Sequence, residues 1–280
     1  MAEDKLAILG GKGMLGTDLA RQCTKQDIAF EVFDLPDFDI TNDQQLSNVV
    51  TNNSIVINCA AYTNVDKAES EAELAYKVNA DAVGRLGTLA RQADIWLLHI
   101  STDFVFDGKS DRPYVETDTP NPINSYGAGK LAGEQLLVES RCRHCIMRVE
   151  WTYGRAGNNF VTKLIQHAKT NKTLKVVDDQ IGSPTATTEV AKVICKLVKN
   201  KPEGLFHFAS QGYVSRFDMA KFIFDNLKWK VDLSPCKTSD FPTPAQRPLN
   251  SCFDCSKIKV LLDEPINTWQ GPLENFLRKL

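Results

Sequence analysis

The chain has 280 residues, of which 42% are hydrophobic and 24% charged, the mixture of an ordinary globular protein with room for one large domain or two modest ones. Its formal net charge of −2 excludes a bulk positive field for nucleic acid or an acidic membrane, so a phosphorylated ligand would need a local site. No apolar run approaches bilayer length, and the opening MAEDKLAILGG carries two acids and runs straight into a strand-like segment, so neither a span nor a secretory leader is expected and the expected location is cytoplasmic.

Strand and helix signals alternate through the first half. Leu6–Leu9 reads as a strand, and Met14–Cys23 as a helix with Leu15 and Leu19 on one face. Phe30–Phe33 is a second strand, 43–50 a helix, and Ile55–Asn58 a third strand. A long helix is expected over 71–92, with Ala75, Val78, Ala82, Leu86 and Leu89 at helical spacing. Strands over 96–101 and 145–149 flank a helix over 124–139. Continuously apolar strands alternating with amphipathic helices predict an α/β fold with a doubly wound parallel sheet of Rossmann type. After Arg148 the pattern loosens. Helices are expected over 159–169, 187–199, 216–227 and 273–278, and strands over 174–177 and 205–208. The division read from this is a dinucleotide-binding domain over 1–150 and a smaller mixed α/β substrate region over 151–280, some of which packs back on the first.

Eight cysteines include two C-x-x-C pairs, Cys142/Cys145 and Cys252/Cys255. More than a hundred residues separate the pairs, far beyond zinc-ribbon spacing, so reduced thiols are expected and no metal site. The four histidines are scattered, and His99 in an apolar strand reads as a core residue.

The segment LAILGGKGMLG joins strand to helix through glycines: Gly10, Gly13 and Gly16 fit G-x-x-G-x-x-G. Such a loop turns sharply, lets backbone approach a pyrophosphate and opens a helix whose free N–H groups face that anion. Asp34 ends the next strand, eighteen residues beyond Gly16, where a carboxylate meets an adenosine ribose. That acid favours NADH, whereas Lys12 in the loop suits the extra phosphate of NADPH, and the choice stays open. SYGAGK places Tyr126 and Lys130 one helical turn apart, following a strand that ends Ser101-Thr102-Asp103. A tyrosine hydroxyl is a usable proton donor near neutrality, an ammonium beside it tunes its pKa, and Thr102 can hold the substrate oxygen. Arg247, in AQRP, offers the planar fork that suits a diphosphate.

With these motifs the chain resembles an extended short-chain dehydrogenase/reductase, and most closely the dTDP-4-dehydrorhamnose reductases, over nearly its full length. The carriers are LGGKGMLG, NCAAYTNVDKAE, STDFVFDG, YGAGKLAGE, GNNF, DDQIGSPT and PTPAQRPLNS. The resemblance implies Thr102, Tyr126 and Lys130 as the catalytic trio. It implies Gly13, Met14, Leu15, Asp34, Asp39, Ile40, Ala60, Ala61 and Tyr62 around the cofactor, and Asp103 and Trp151 against a nucleotide-sugar. The reaction implied is reduction of the 4-keto group of a dTDP-4-dehydro-6-deoxyhexose, giving dTDP-L-rhamnose, and a homodimer is left open.

Some positions depart from the family pattern. Phe104 stands for the usual tyrosine, and Glu150 precedes Trp151 where a small residue is common. Asp18 and Glu189 match acids that hold magnesium between subunits in some members, but Thr268 stands where a third acid would be. Two rivals remain on the same fold. A nucleotide-sugar epimerase or dehydratase is one, although elimination normally uses an Asp-Glu pair where this chain has Asp103-Phe104. A regulatory subunit like the beta subunit of methionine adenosyltransferase is the other, although DDQIGSPT looks more like the reductases.

Overall fold

The computed structural model describes residues 5–280. Glu3 and Asp4, the two acids that weigh against a leader, lie outside the described residues.

The first strand, β1 (Leu6–Leu9), is buried along its whole length because both of its faces are covered. Leu6 and Ile8 turn to one apolar cluster, Ala7 and Leu9 to another. The chain continues through α1 (Met14–Lys25), β2 (Phe30–Phe33), α2 (Asp43–Asn52) and β3 (Ile55–Asn58). Then come α3 (Ala72–Tyr76), α4 (Ala82–Gln92), β4 (Trp96–Thr102), α5 (Ser125–Glu139) and β5 (Arg143–Val149). Side-chain caps start two of these helices: Asn42 accepts from the N–H of Gln45, and Asn124 from that of Gly127.

All neighbours in the main sheet are parallel, in the order β2-β1-β3-β4-β5 with a sixth strand, Gly204–Phe208, on the outside of β5. The chain leaves β2 on one side of β1 and returns at β3 on the other. A doubly wound sheet binds ligands beyond the strand ends at that reversal. Helix Thr187–Asn200 covers the face that α1 covers, contributing Val190, Ile194 and Leu197 to the same cluster as Leu6 and Leu19. Residues 187–208 therefore complete the layers begun by the first half. Elsewhere in the second half, Tyr153, Val161, Leu164, Ile223, Trp269 and Leu273 form a separate apolar cluster. Within it the expected strand over 174–177 runs Thr173–Val177 and pairs in parallel with Asp232–Cys236, which the sequence pattern does not reveal because Pro235 interrupts it.

The single helix expected over 71–92 is divided. Between α3 and α4 the segment Lys77–Asp81 is a π-helical turn, a widening frequent at functional sites. It buries Asn79, whose amide accepts from the N–H of Tyr62 at 2.8 Å and donates to the carbonyl of Tyr62 at 3.1 Å. The loop after β3 is thereby clamped to the helix layer. All eight cysteines are free thiols, and among the described residues no helix is long and apolar enough to cross a membrane.

Candidate active site

A cleft of about 580 Å³ opens beyond the carboxyl ends of β1, β3, β4 and β5. Gly10, Gly13, Met14 and Leu15 line it from the glycine loop, with Asp34, Asp39 and Ile40 beyond β2 and Ala60 and Ala61 beyond β3. Thr102 and Asp103 line it beyond β4, Tyr126 and Lys130 from α5, and Trp151 beyond β5. Residues far apart in sequence thus meet at one site because the strand ends and the loops and helix starts that follow them converge there.

The loop fits a dinucleotide. Gly10 has φ +71°, and a Cβ there would lie 2.6 Å from the backbone nitrogen of Ala60, so only glycine lets the loop turn this close to the end of β3. Asp34 lines the cleft, and its carboxylate accepts from the N–H of Lys12 at 2.7 Å and of Leu35 at 2.8 Å, tying the glycine loop to the end of β2. Lys12 turns its ammonium to the carbonyl of Leu35 and to Asp37.

At the other end stand the residues expected to form the catalytic trio. Burial pushes the hydroxyl of Tyr126 up to about 12, against a hydrogen bond with Thr102 that pulls it down. Its ring meets Phe104 edge-on at 5.6 Å. Thr102 is buried; its hydroxyl donates to Asp103 at 3.0 Å and accepts from the N–H of Phe104 at 3.2 Å. The other oxygen of Asp103 accepts from the hydroxyl of Ser251 at 2.5 Å. Burial raises the pKa of Asp103, and those two hydroxyls oppose it. Lys130 is only 2% exposed, donates to the carbonyl of Ile100 at 2.7 Å and lies 3.1 Å from Nε2 of His99. Burial pulls its ammonium down to about 8, with Glu134 and Cys59 resisting. α5 is fixed to the sheet by Glu134, which forms a buried bidentate pair with Arg148 of β5 at 2.6 and 2.9 Å.

Trp151 adopts a left-handed backbone, φ +44°, a conformation that a bulky residue holds only when its surroundings enforce it. Its indole fills the space beside Gly182, where a Cβ would lie 2.6 Å from the ring. Over the indole, 3.4 Å from the ring centroid, sits the guanidinium of Arg216, which also lies 4.7 Å from the ring centroid of Phe160. Burial pulls the guanidinium down, nearby Asp103 and Glu150 pull it up, and Arg247 pushes it down again.

Two expected site residues do not line the cleft. The hydroxyl of Tyr62 donates to Glu71 at 2.5 Å, and the ring stands outside the lining. Arg247 is committed to a bidentate pair with Asp66 at 2.7 and 2.8 Å. Sequence reasoning missed Arg216. It is the first residue of helix Arg216–Leu227, no motif surrounds it, and only the tertiary contacts with Trp151 and Phe160 turn it to the cleft. Asn158 and Asn159 also line the cleft. The GNNF motif flagged them without a role.

The fold and this cleft define a dinucleotide-binding protein of the short-chain dehydrogenase kind. The family model described as the RmlD substrate binding domain matches residues 4–280. The dTDP-4-dehydrorhamnose reductase of Aggregatibacter actinomycetemcomitans is 37% identical over 97% of this chain and 97% of its own length. That of Escherichia coli K12 is 34% identical over 98% and 97%. Among solved structures, a dTDP-4-dehydrorhamnose reductase from Bacillus anthracis in complex with NADP superposes with a TM-score of 0.95 at 36% identity, covering 99% of this chain and 100% of that one. The chain belongs to the dTDP-4-dehydrorhamnose reductase family.

Proposed function

We propose that this chain reduces the 4-keto group of a dTDP-4-dehydro-6-deoxyhexose, converting dTDP-4-dehydrorhamnose to dTDP-L-rhamnose with NADPH or NADH. The observation that carries the reading is the placement of Tyr126, Thr102 and Lys130 at one end of a cleft whose other end is the glycine loop. The names of the relatives and the NADP held by one of them support it.

Gly10, Gly13, Met14, Leu15, Asp34, Asp39, Ile40, Ala60 and Ala61 would hold the dinucleotide. When bound, it supplies the hydride. Tyr126 gives its proton to the developing alkoxide, as general acid. Thr102 fixes that oxygen and is itself oriented by Asp103. Lys130 contacts the ribose and biases Tyr126. Trp151 supports the sugar ring. Arg216 takes the anionic part of the nucleotide-sugar, the role expected of Arg247, because it is the arginine that lines the cleft and, among the described residues, its side chain has no hydrogen-bonding acceptor. Phe104 brings no proton beside Asp103, which favours reduction over elimination. The substrate region proposed over 151–280 would contribute these last contacts, and a homodimer in the cytoplasm is the proposed setting.

The test mixes the purified protein with dTDP-4-dehydro-6-deoxy sugar and either reduced nicotinamide, following its absorbance. Loss of absorbance matching formation of the 4-hydroxy product is expected. No loss with either cofactor, together with stoichiometric capture of a methionine adenosyltransferase, would transfer the reading to a regulatory subunit.

A further inference from the structure

Beneath the cleft, Asn58, His99 and Lys130 form a hydrogen-bonded chain that the proposed proton transfer does not itself use. Asn58 and His99 are fully buried, so their polar atoms must satisfy one another. The direction of the chain is fixed from one end. The backbone N–H of Ala60 can only donate, and it meets Oδ1 of Asn58 at 3.0 Å. The other end of that amide, Nδ2, also only donates, and it lies 3.1 Å from Nδ1 of His99. Nδ1 therefore presents a lone pair, and the neutral ring carries its proton on Nε2. An imidazolium would set two donors against each other. Nε2 in turn lies 3.1 Å from Nζ of Lys130, which also donates to the carbonyl of Ile100. An ammonium has no lone pair with which to accept from Nε2–H, whereas the neutral amine has one.

We infer that His99, locked as its Nε2–H tautomer by Asn58, is a positioning residue that favours the neutral amine of Lys130 and so sets the pH above which Lys130 stops acting as a cation. This rests on the reading of Lys130 as the partner of Tyr126. The other groups facing the chain leave the assignment intact. On α5, Lys130 faces Tyr126 and Glu134, and Glu134 is already paired with Arg148. From the end of β3 it faces Cys59, whose thiol burial pushes up to about 12 and keeps neutral. His99 faces His144 on β5, whose Nδ1 is bonded to the carbonyl of Cys142. Burial lowers the pKa of both His99 and Lys130, in the direction the geometry requires. A lysine poised in this way gains or loses a proton within the working range, where an exposed one would stay charged.

Two measurements test the assignment. In the full chain labelled with ¹⁵N-histidine, long-range ¹H–¹⁵N spectra should show the His99 ring protonated at Nε2 alone, the signal being assigned by its loss in His99→Gln. A ring protonated at Nδ1, or at both nitrogens, near neutral pH overturns the inference without any substrate being present. The second measurement is the pH profile of kcat. Asn58→Asp places an acceptor against Nδ1, reverses the tautomer and lets Nε2 accept from the ammonium. The alkaline limb should then move up by about one pH unit or more. In a His99→Leu background the same substitution should leave the limb in place. Equal shifts in both backgrounds would make the effect one of charge alone and remove His99 from it. If the parent protein turns over no nucleotide-sugar, the proposed function fails while the tautomer measurement still decides this inference.

Discussion

Replacing Tyr126 with phenylalanine removes one oxygen from the cleft and tests the chemical step most directly. The ring keeps its edge-on contact with Phe104. Thr102 loses a neighbour but keeps Asp103 and the N–H of Phe104 as partners, so no buried donor is orphaned. The folding cost should be no more than about 1 kcal/mol. The chemical cost should be far larger. General acid catalysis contributes about 10²–10⁴-fold, or roughly 3–5 kcal/mol of barrier. In the structure burial raises the phenol well above neutrality, so it holds its proton, as a donor must. Steady-state turnover of the keto-sugar should therefore fall by that factor, while cofactor affinity, read by nicotinamide fluorescence, and the melting temperature stay near parental values. Near-parental turnover in Tyr126→Phe, on a substrate the parent reduces, would refute the assignment of Tyr126 as acid.

Three further outcomes are expected. Arg148→Met strands the buried carboxylate of Glu134, so thermal or denaturant unfolding should show about 3–5 kcal/mol lost, with most of it regained in Arg148→Met/Glu134→Leu. Arg216→Gln should raise KM for the nucleotide-sugar about tenfold to hundredfold and leave cofactor affinity alone; the same result from Arg247→Ala, with Arg216→Gln silent, would return the anion to Arg247. Asp34→Ala removes the acceptor for the N–H groups of Lys12 and Leu35, so both cofactors should weaken, NADH more than NADPH, and equal losses in titration would confine Asp34 to holding the loop.

The parts of this protein that were legible in the sequence are those whose physics is local. The first five strands are short apolar runs, the helices between them carry one apolar face, and the glycine loop and the Tyr126–Lys130 pair each fall within a few residues of chain. Three features depend on tertiary partners instead. The π-helical turn over Lys77–Asp81 carries Asn79, which bonds the backbone of Tyr62, a contact that no helical periodicity encodes. Gly204–Phe208 reads as an isolated strand until β5 supplies its neighbour. Tyr62 and Arg247 were named through motifs, and what places their side chains is the acids they meet, Glu71 and Asp66.

Glu150, expected from the sequence to depart from the family pattern, has a definite place beside the site. The left-handed backbone at Trp151 separates two successive side chains, with the indole lining the cleft and the carboxylate of Glu150 fully buried. There one oxygen accepts from the N–H of Ser183 at 3.1 Å and the other from that of Phe253 at 3.3 Å. Burial and the charge of Asp103 push its pKa well up, yet both oxygens are spoken for as acceptors, an arrangement that suits the ionised form. The two segments it ties are also bonded to each other: the N–H of Ile181 donates to Leu249, and that of Ser251 to Ile181. Ser251, so placed, donates to Asp103, and Asp103 fixes the hydroxyl of Thr102. A carboxylate that does not line the cleft thus anchors, through these contacts, the orientation of the hydroxyl of Thr102. Across the indole lies Arg216, whose charge opposes the rise in the pKa of Glu150, as Glu150 opposes the fall in that of Arg216. The acid before Trp151 and the arginine above it therefore act as one electrostatic unit, and a change at either position should be felt at the other.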